Sequence, residues 1–159
     1  VAIKGMRTTN PDPGSLTISK VKLGNSIFDF VNAFAANDPQ STLKTLEIID
    51  NYYDKKNKMV IFLNTRSDRQ LRTQQLLDMI FKSVNLEHLI IRGENIKNDL
   101  LIREKEFKEI PYTIFNEDDS YENINQSFSD FDSHVIIGIG NIVGWGELFI
   151  KQLKGYKID

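Results

Sequence analysis

Arg66, Asp68, Arg69 and Arg72 stand together just after the apolar run MVIFL at residues 59–63. A guanidinium presents a planar fork of donors that grips a carboxylate or a phosphate with two hydrogen bonds, so this segment points to an anionic ligand. The competing reading is ordinary: Arg69 and Arg72 also fit an exposed helix face beside Asp68, where an ion pair contributes little. Asn32, Asn37 and Asp38 follow another apolar run. They bring no positive charge, and their amide and carboxylate groups suit hydrogen bonds to a base or a ribose; a structural turn is the plainer alternative. Gly138, Gly140, Gly144 and Gly146 lie within GIGNIVGWG. Such density requires close backbone approach or positive φ, and a strand before it with a helix after it is the context of a phosphate or carboxylate cradle. The spacing is not a dinucleotide fingerprint, and without a closing Gly-Lys-Ser/Thr it is not a P-loop. Arg92, Gly93, Glu94 and Asn95 form a shorter loop of mixed charge, which alone reads as a solvated turn.

Other chemistries lack their residues. With no cysteine in the 159 residues there is no disulfide, thiol nucleophile or thiolate metal site, which leans towards the cytosol. His88 and His134 each precede an apolar run without a serine or carboxylate partner at recognisable spacing, and both read as structural. Asp118, Asp119, Asp130 and Asp132 lack the glycine and terminal glutamate of a calcium loop and read as a solvated face, so no metal site is assigned. A net charge of −2 argues against a nucleic-acid partner, and Lys55, Lys56 and Lys58 read as a solvated turn. No apolar run approaches the roughly 18 residues of a membrane span, so no direct insertion is expected. Trp145 and Glu147 either wall a crevice or simply pack.

The elements that must carry these loops follow from apolar periodicity. Hydrophobic residues at 40% and charged ones at 26% suit one soluble domain with a real core. Residues 1–14, with Pro-Asp-Pro-Gly, read as a linker, and residues 15–159 as the domain. The start at Val1 fits a piece of something longer. Residues 15–23 alternate with Leu16, Ile18, Val21 and Leu23 apolar, predicting an edge strand or hairpin closed by Gly24-Asn25. Ile27, Phe28, Phe30 and Val31 predict a strand covered on both faces. Asp38 as N-cap and Pro39 in the first turn then open a helix with Leu43, Leu46, Ile49 and Tyr53 inward. Residues 59–63 predict a second strand, 70–84 a helix, 89–91 a third strand and 96–106 a helix-like segment. Residues 112–115 predict a fourth strand, 121–128 a short helix, 135–139 the last strand and 147–153 the last helix. This alternation predicts an α/β fold: a Rossmann-like, three-layer domain with a mostly parallel sheet, whose strand ends face one crevice.

FVNAFAANDPQST, FLNTRSDRQLRTQQ and HVIIGIGNIVGWGELFI together resemble the C-terminal part of the capsule-type poly-γ-glutamate synthase family (PgsB/CapB), relatives of the Mur and folylpolyglutamate ligases. GMRTTNPDPGSLTI fits the lead-in to that domain, so the resemblance covers nearly the whole chain. It implies a Mur ligase C-terminal type of fold and ATP-dependent amide ligation, in which a carboxylate becomes an acyl phosphate and is attacked by the amino group of an incoming glutamate. Asn32, Asn37 and Asp38 then occupy the places that touch ATP. Asp68 and Arg69 match an Asp-Arg pair after the second strand, next to Arg66. Arg92 and Asn95 echo the amino-acid-binding motif, and Gly138, Gly140 and Asn141 match the final glycine motif. These eight residues form the substrate-binding expectation, and no residue is given a covalent catalytic role.

The resemblance further implies ATP and Mg2+ as cofactors, with the P-loop and the magnesium ligands in a central ATPase domain of the same enzyme. Expected partners are glutamate and poly-γ-glutamate, that central domain, and membrane subunits that would hold the chain at the inner face of the membrane. The isolated chain is then expected to be inactive. Two readings compete: a non-catalytic Rossmann-like nucleotide-binding or partner-docking module, and a folylpolyglutamate-like glutamate ligase.

Overall fold

Strand residues point alternately to opposite faces of a sheet, and the chain uses that alternation to fill two cores. The computed structural model describes residues 15–54 and 58–158. The expected linker at 1–14 and Lys55 and Lys56 of the basic cluster lie outside the described residues. In chain order the elements are β1 (Thr17–Leu23), β2 (Ser26–Asn32), α1 (Pro39–Tyr52), β3 (Met59–Asn64), α2 (Gln70–Ser83), β4 (His88–Arg92), α3 (Ile96–Glu106), β5 (Tyr112–Phe115), α4 (Tyr121–Phe128), β6 (Val135–Gly140) and α5 (Trp145–Leu153). Short 3-10 turns precede α2 and follow α5.

The strands form one sheet in the order β1-β2-β6-β3-β4-β5. Only β1 and β2 pair antiparallel, through the tight turn at Gly24, whose φ of 59° suits glycine. From β3 the chain steps outward to β4 and β5, then reverses and inserts β6 between β2 and β3. Right-handed crossovers put helices on opposite faces when the direction reverses, and the cores obey this. Leu46 and Ile49 of α1, Leu76 and Leu77 of α2 and Leu100 of α3 pack with Ile61, Ile91 and Ile137. Ile124 and Phe128 of α4 and Phe149 and Leu153 of α5 pack with Val60, Phe62 and Ile136 on the other face. The result is the three-layer α/β domain that the sequence predicts.

Every residue of β3 and β6 is buried, as a strand covered on both faces requires. The strand at Ile27 is covered less completely than its apolar run predicts. Ile27 is 39% exposed, because it pairs with Lys22 near the tip of the hairpin and belongs to neither core. At the outer side of β1, Lys157 bridges Val21 and the Ile158 amide donates to the Lys20 carbonyl at 2.9 Å.

Local signals hold the helices. The Asp38 carboxylate accepts from the Ser41 amide at 2.9 Å and Pro39 occupies the first turn of α1. The last helix begins at Trp145, two residues before the predicted start at 147, with Gly144 at its N-cap. His88 faces Thr113 across β4 and β5, at 2.9 Å. His134 sits 3.3 Å from Glu87, a carboxylate partner that its spacing in the sequence does not announce. Asp119 accepts from the Asn116 amide and Asp132 from the Ile27 amide, so both acids tie down turns. No helix among the described residues is long and apolar enough to cross a membrane.

One core is aromatic. The Phe128 ring, fully buried, lies 5.4 Å from Phe62, 5.9 Å from Phe149, 6.0 Å from Phe28 and 6.1 Å from Phe30. Truncating it leaves a cavity among side chains anchored on β2, β3 and α5, so Phe128→Ala is expected to lower unfolding stability by about 3–5 kcal/mol in urea denaturation. Leu148→Ala, at a side chain 57% exposed, is expected to change it by less than about 0.5 kcal/mol.

Candidate functional site at the carboxyl edge of the sheet

Register places the candidate residues. Asn64 at the end of β3 stands level with Gly140 at the end of β6 and with Arg92 at the end of β4, and Arg92 is level with Phe115 of β5. Asn32 closes β2 level with Gly138. The loops carrying Asn37 and Asp38, Arg66 to Arg69, Arg92 to Asn95 and the glycines therefore leave the sheet along one edge. This is where an open α/β sheet offers loop side chains and helix N–H groups to a ligand.

Three of these strand tips meet in a buried polar junction. The Asn64 side chain, 1% exposed, donates from Nδ2 to the Asn141 carbonyl at 2.6 Å and accepts at Oδ1 from Arg92 Nη1 at 3.2 Å. Its own carbonyl accepts from the Asn141 amide at 2.8 Å. Arg92, 6% exposed, lies over the Trp145 ring at 4.1 Å and donates from Nη2 to the Glu117 carbonyl. Its Nε is buried without a hydrogen-bond partner among the described residues. Burial draws the Arg92 pKa below its ordinary value, and Glu117, Tyr121, Asp119 and Asp118 pull it back up. Thr65 secures the β4 tip from the side: its hydroxyl and its amide both donate to the Arg92 carbonyl at 2.9 Å.

The second loop is more open. Arg66 forms a two-pronged pair with Asp68 through Nε and Nη2, at 2.9 and 2.8 Å, and Arg69 lies 3.9 Å from the same carboxylate. All three side chains are substantially exposed. Glu117 ties this loop to the junction, since its carboxylate accepts from the Ser67 amide at 3.0 Å while its carbonyl receives Arg92.

In the first loop, Asn32 is buried and accepts at Oδ1 from the Phe34 amide at 3.4 Å, while Asn37 and Asp38 are exposed. Hydrogen bonds from Ser41, through its side chain and its amide, hold the Asp38 carboxyl below the usual aspartate range. Asn95 takes a left-handed conformation, φ 57°, just before α3.

The glycines meet their demands within the protein. A Cβ at Gly138 would lie 2.7 Å from the Phe34 ring, and one at Gly146 would lie 2.8 Å from the Asn141 carbonyl oxygen. Gly140 combines φ +96° with a backbone so close to the Asn64 carbonyl that a side chain would collide with it. Gly144 has φ +76° with open space around it, and its amide donates to the Glu147 carboxylate at 3.4 Å.

Arg92, Gly140 and Asn141 are thus brought into one junction, with Arg66, Asp68 and Arg69 reached through Glu117. Asn37 and Asp38 lie on the same edge without a described contact to that junction. Asn64, Glu117 and Trp145 complete the site. A polar residue ending the fully apolar run MVIFL is the signal for Asn64; Glu117, inside an acidic loop, gives none. A cavity of about 620 Å³ lies elsewhere, at the amino ends of β3 and β4, lined by Leu43, Met59, Val84 and Glu87 among others. Among the described residues no group of three or more His, Asp or Glu is placed to hold a metal ion.

The family model "Poly-gamma-glutamate synthase CapB C-terminal domain" matches residues 18–156. The chain is 30% identical over 161 residues to PGA synthase CapB of Bacillus subtilis (strain 168), covering 99% of this chain and 40% of that protein. It is 30% identical over 160 residues to the capsule biosynthesis protein CapB of Bacillus anthracis, covering 99% of this chain and 34% of that one. The chain therefore spans less than half the length of these curated relatives. A crystal structure of MurF from Acinetobacter baumannii aligns with a TM-score of 0.55 at 13% identity, over 96% of this chain and 33% of that one. At that identity the likeness is one of fold.

Two substitutions check the local physics. Gly140→Ala is expected to lose stability by more than the roughly 1–3 kcal/mol of backbone strain alone, because the Asn64 carbonyl must also move, whereas Gly144→Ala carries the strain only. Denaturant titration of the pair reads this difference. Asp38→Ala is expected to lower the melting temperature at neutral pH. A carboxyl whose pKa is depressed by folding contributes stability above its unfolded pKa, and that stability is lost as pH falls through the folded pKa. The gap between Asp38→Ala and wild type should therefore narrow below the ordinary aspartate range.

Proposed function

Because this chain belongs to the poly-γ-glutamate synthase CapB C-terminal domain family, we propose that it is the substrate-clamping domain of an ATP-dependent ligase that joins glutamate to poly-γ-glutamate. The single observation that carries this reading is the shared edge: the Asn/Asp, arginine and glycine segments emerge from adjacent parallel strand tips within one register. In the proposed reaction a chain-end carboxylate is phosphorylated by ATP and the resulting acyl phosphate is attacked by the amino group of glutamate, with phosphate leaving.

The residues of this chain orient and neutralise; they supply no covalent nucleophile. Asn32, Asn37 and Asp38 would meet the nucleotide with amide and carboxylate groups. Arg66, Asp68, Arg69, Arg92 and Asn95, with the turn at Gly138, Gly140 and Asn141, would face the acidic amino acid. Holding two reactants in line converts a bimolecular encounter into a local one, and fixed positive charge offsets the negative charge that develops during phosphoryl transfer. Mg2+ would be held by a central ATPase domain, the proposed partner, which also carries the P-loop. Membrane subunits would place the assembly at the inner face of the membrane.

Two measurements test the reading. Titration of the chain with ADP, followed by amide chemical shifts, is expected to show weak binding that falls about tenfold in Asn37→Ala, the size of one lost hydrogen bond. Equal affinity in both removes Asn37 from the site. The isolated chain is expected to release no ADP from ATP in the presence of glutamate. Steady glutamate-dependent release would place the catalytic machinery within these residues instead.

A further inference from the structure

Asn64 forms a bridge that the ligase reading does not use. It is almost fully buried, and a buried amide must satisfy both its ends. Its orientation is forced: the Asn141 carbonyl only accepts, so Nδ2 faces it, and the Arg92 guanidinium only donates, so Oδ1 faces that side. One side chain thereby ties the β4 tip to the turn after β6. The same turn is pressed against the Asn64 carbonyl, where Gly140 leaves no room for a Cβ and the Asn141 amide donates at 2.8 Å.

Arg92 has capacity left over. A guanidinium carries five N–H donors. In Arg92 one Nη1 donor goes to Asn64 and one Nη2 donor to Glu117, while Nε is buried without a partner among the described residues. The Trp145 ring fixes the plane of the group from one side. What remains to be fixed is the rotation of the fork within that plane, which Asn64 Oδ1 and the Glu117 carbonyl set between them; of the two, only Asn64 also holds the turn after β6.

We propose that Asn64 is the positioning residue of this edge: its amide locks the Arg92 fork relative to the turn at Gly140 and Asn141, and so sets how an acidic ligand is gripped. Asn64 acts through Arg92 and does not itself touch the ligand. The identity of the ligand, glutamate, rests on the function proposed above.

Trp145 is the only tryptophan in the chain and lies against Arg92, so its indole N–H resonance reports the placement of the guanidinium with no ligand present. The test compares wild type with Asn64→Asp, which keeps the volume and the acceptor for Arg92 but removes the donor that ties Arg92 to the Asn141 carbonyl, and Asn64→Leu, which removes both hydrogen bonds. In each folded variant, checked by far-ultraviolet circular dichroism, the Trp145 resonance is expected to shift. Binding of glutamate, titrated as its L and D forms, is expected to weaken about tenfold in Asn64→Leu while ADP binding stays within about twofold. In an Arg92→Lys background Asn64→Asp is expected to cause no further loss of glutamate binding, since the group it positions is gone.

A Trp145 resonance unmoved in folded Asn64→Asp overturns the proposal, as does an equal glutamate loss with and without Arg92. Should Asn64→Leu fail to fold, the Asp variant and the Arg92→Lys background decide alone. A wild-type chain that binds no glutamate overturns the ligand assignment, and the Trp145 resonance then still decides whether Asn64 positions Arg92.

Discussion

Burial of the two middle strands on both faces is the constraint from which the rest follows. Every residue of β3 and β6 is buried, so their backbone groups must find partners in the ladder and the side chains before the strand ends must be apolar or absent. Polar chemistry is displaced to the strand ends. There the last ladder positions carry Asn64 and Arg92, and because both are still buried, they pair, with Arg92 Nη1 donating to Asn64 Oδ1. The polar junction is thus a direct product of the dry sheet beneath it.

Much of this was legible in the sequence, and for identifiable reasons. Short, nearly continuous apolar runs at 27–31, 59–63 and 135–139, each followed by a segment of helical period, mark strands covered on both faces, so strands, helices and their parallel arrangement follow from pattern alone. Asp38 with Pro39 marks the start of α1 by capping chemistry that acts within a few residues. The convergence of loops on one edge is a property of the fold class and needs no distances. Coverage was harder to read: Ile27 is apolar but sits at the hairpin tip, and a pattern does not say where a layer of helices ends.

The interior of the site was less legible because it depends on contacts far apart in sequence. The insertion of β6 between β2 and β3 brings Asn141 to Asn64 across 77 positions. It also makes Gly138 and Gly140 indispensable for packing, whatever else they touch. Arg92, read as part of a solvated loop from its neighbours, is nearly buried because Trp145 and Glu117 arrive from other segments. The likeness to MurF, with a TM-score of 0.55 at 13% identity, makes a related point: much the same arrangement of strands and helices is reached by a very different sequence.

The hairpin that opens the sheet has a consequence of its own. An exposed strand margin is a template on which another polypeptide can add itself, the first step of unwanted association. Here Lys157 and Ile158 run alongside Val21 and Lys20 and occupy part of that margin. Lys20 and Lys22 place charge on the same strand. On its β1 side the sheet thus ends in a guarded border, a poor template for a strand from another chain.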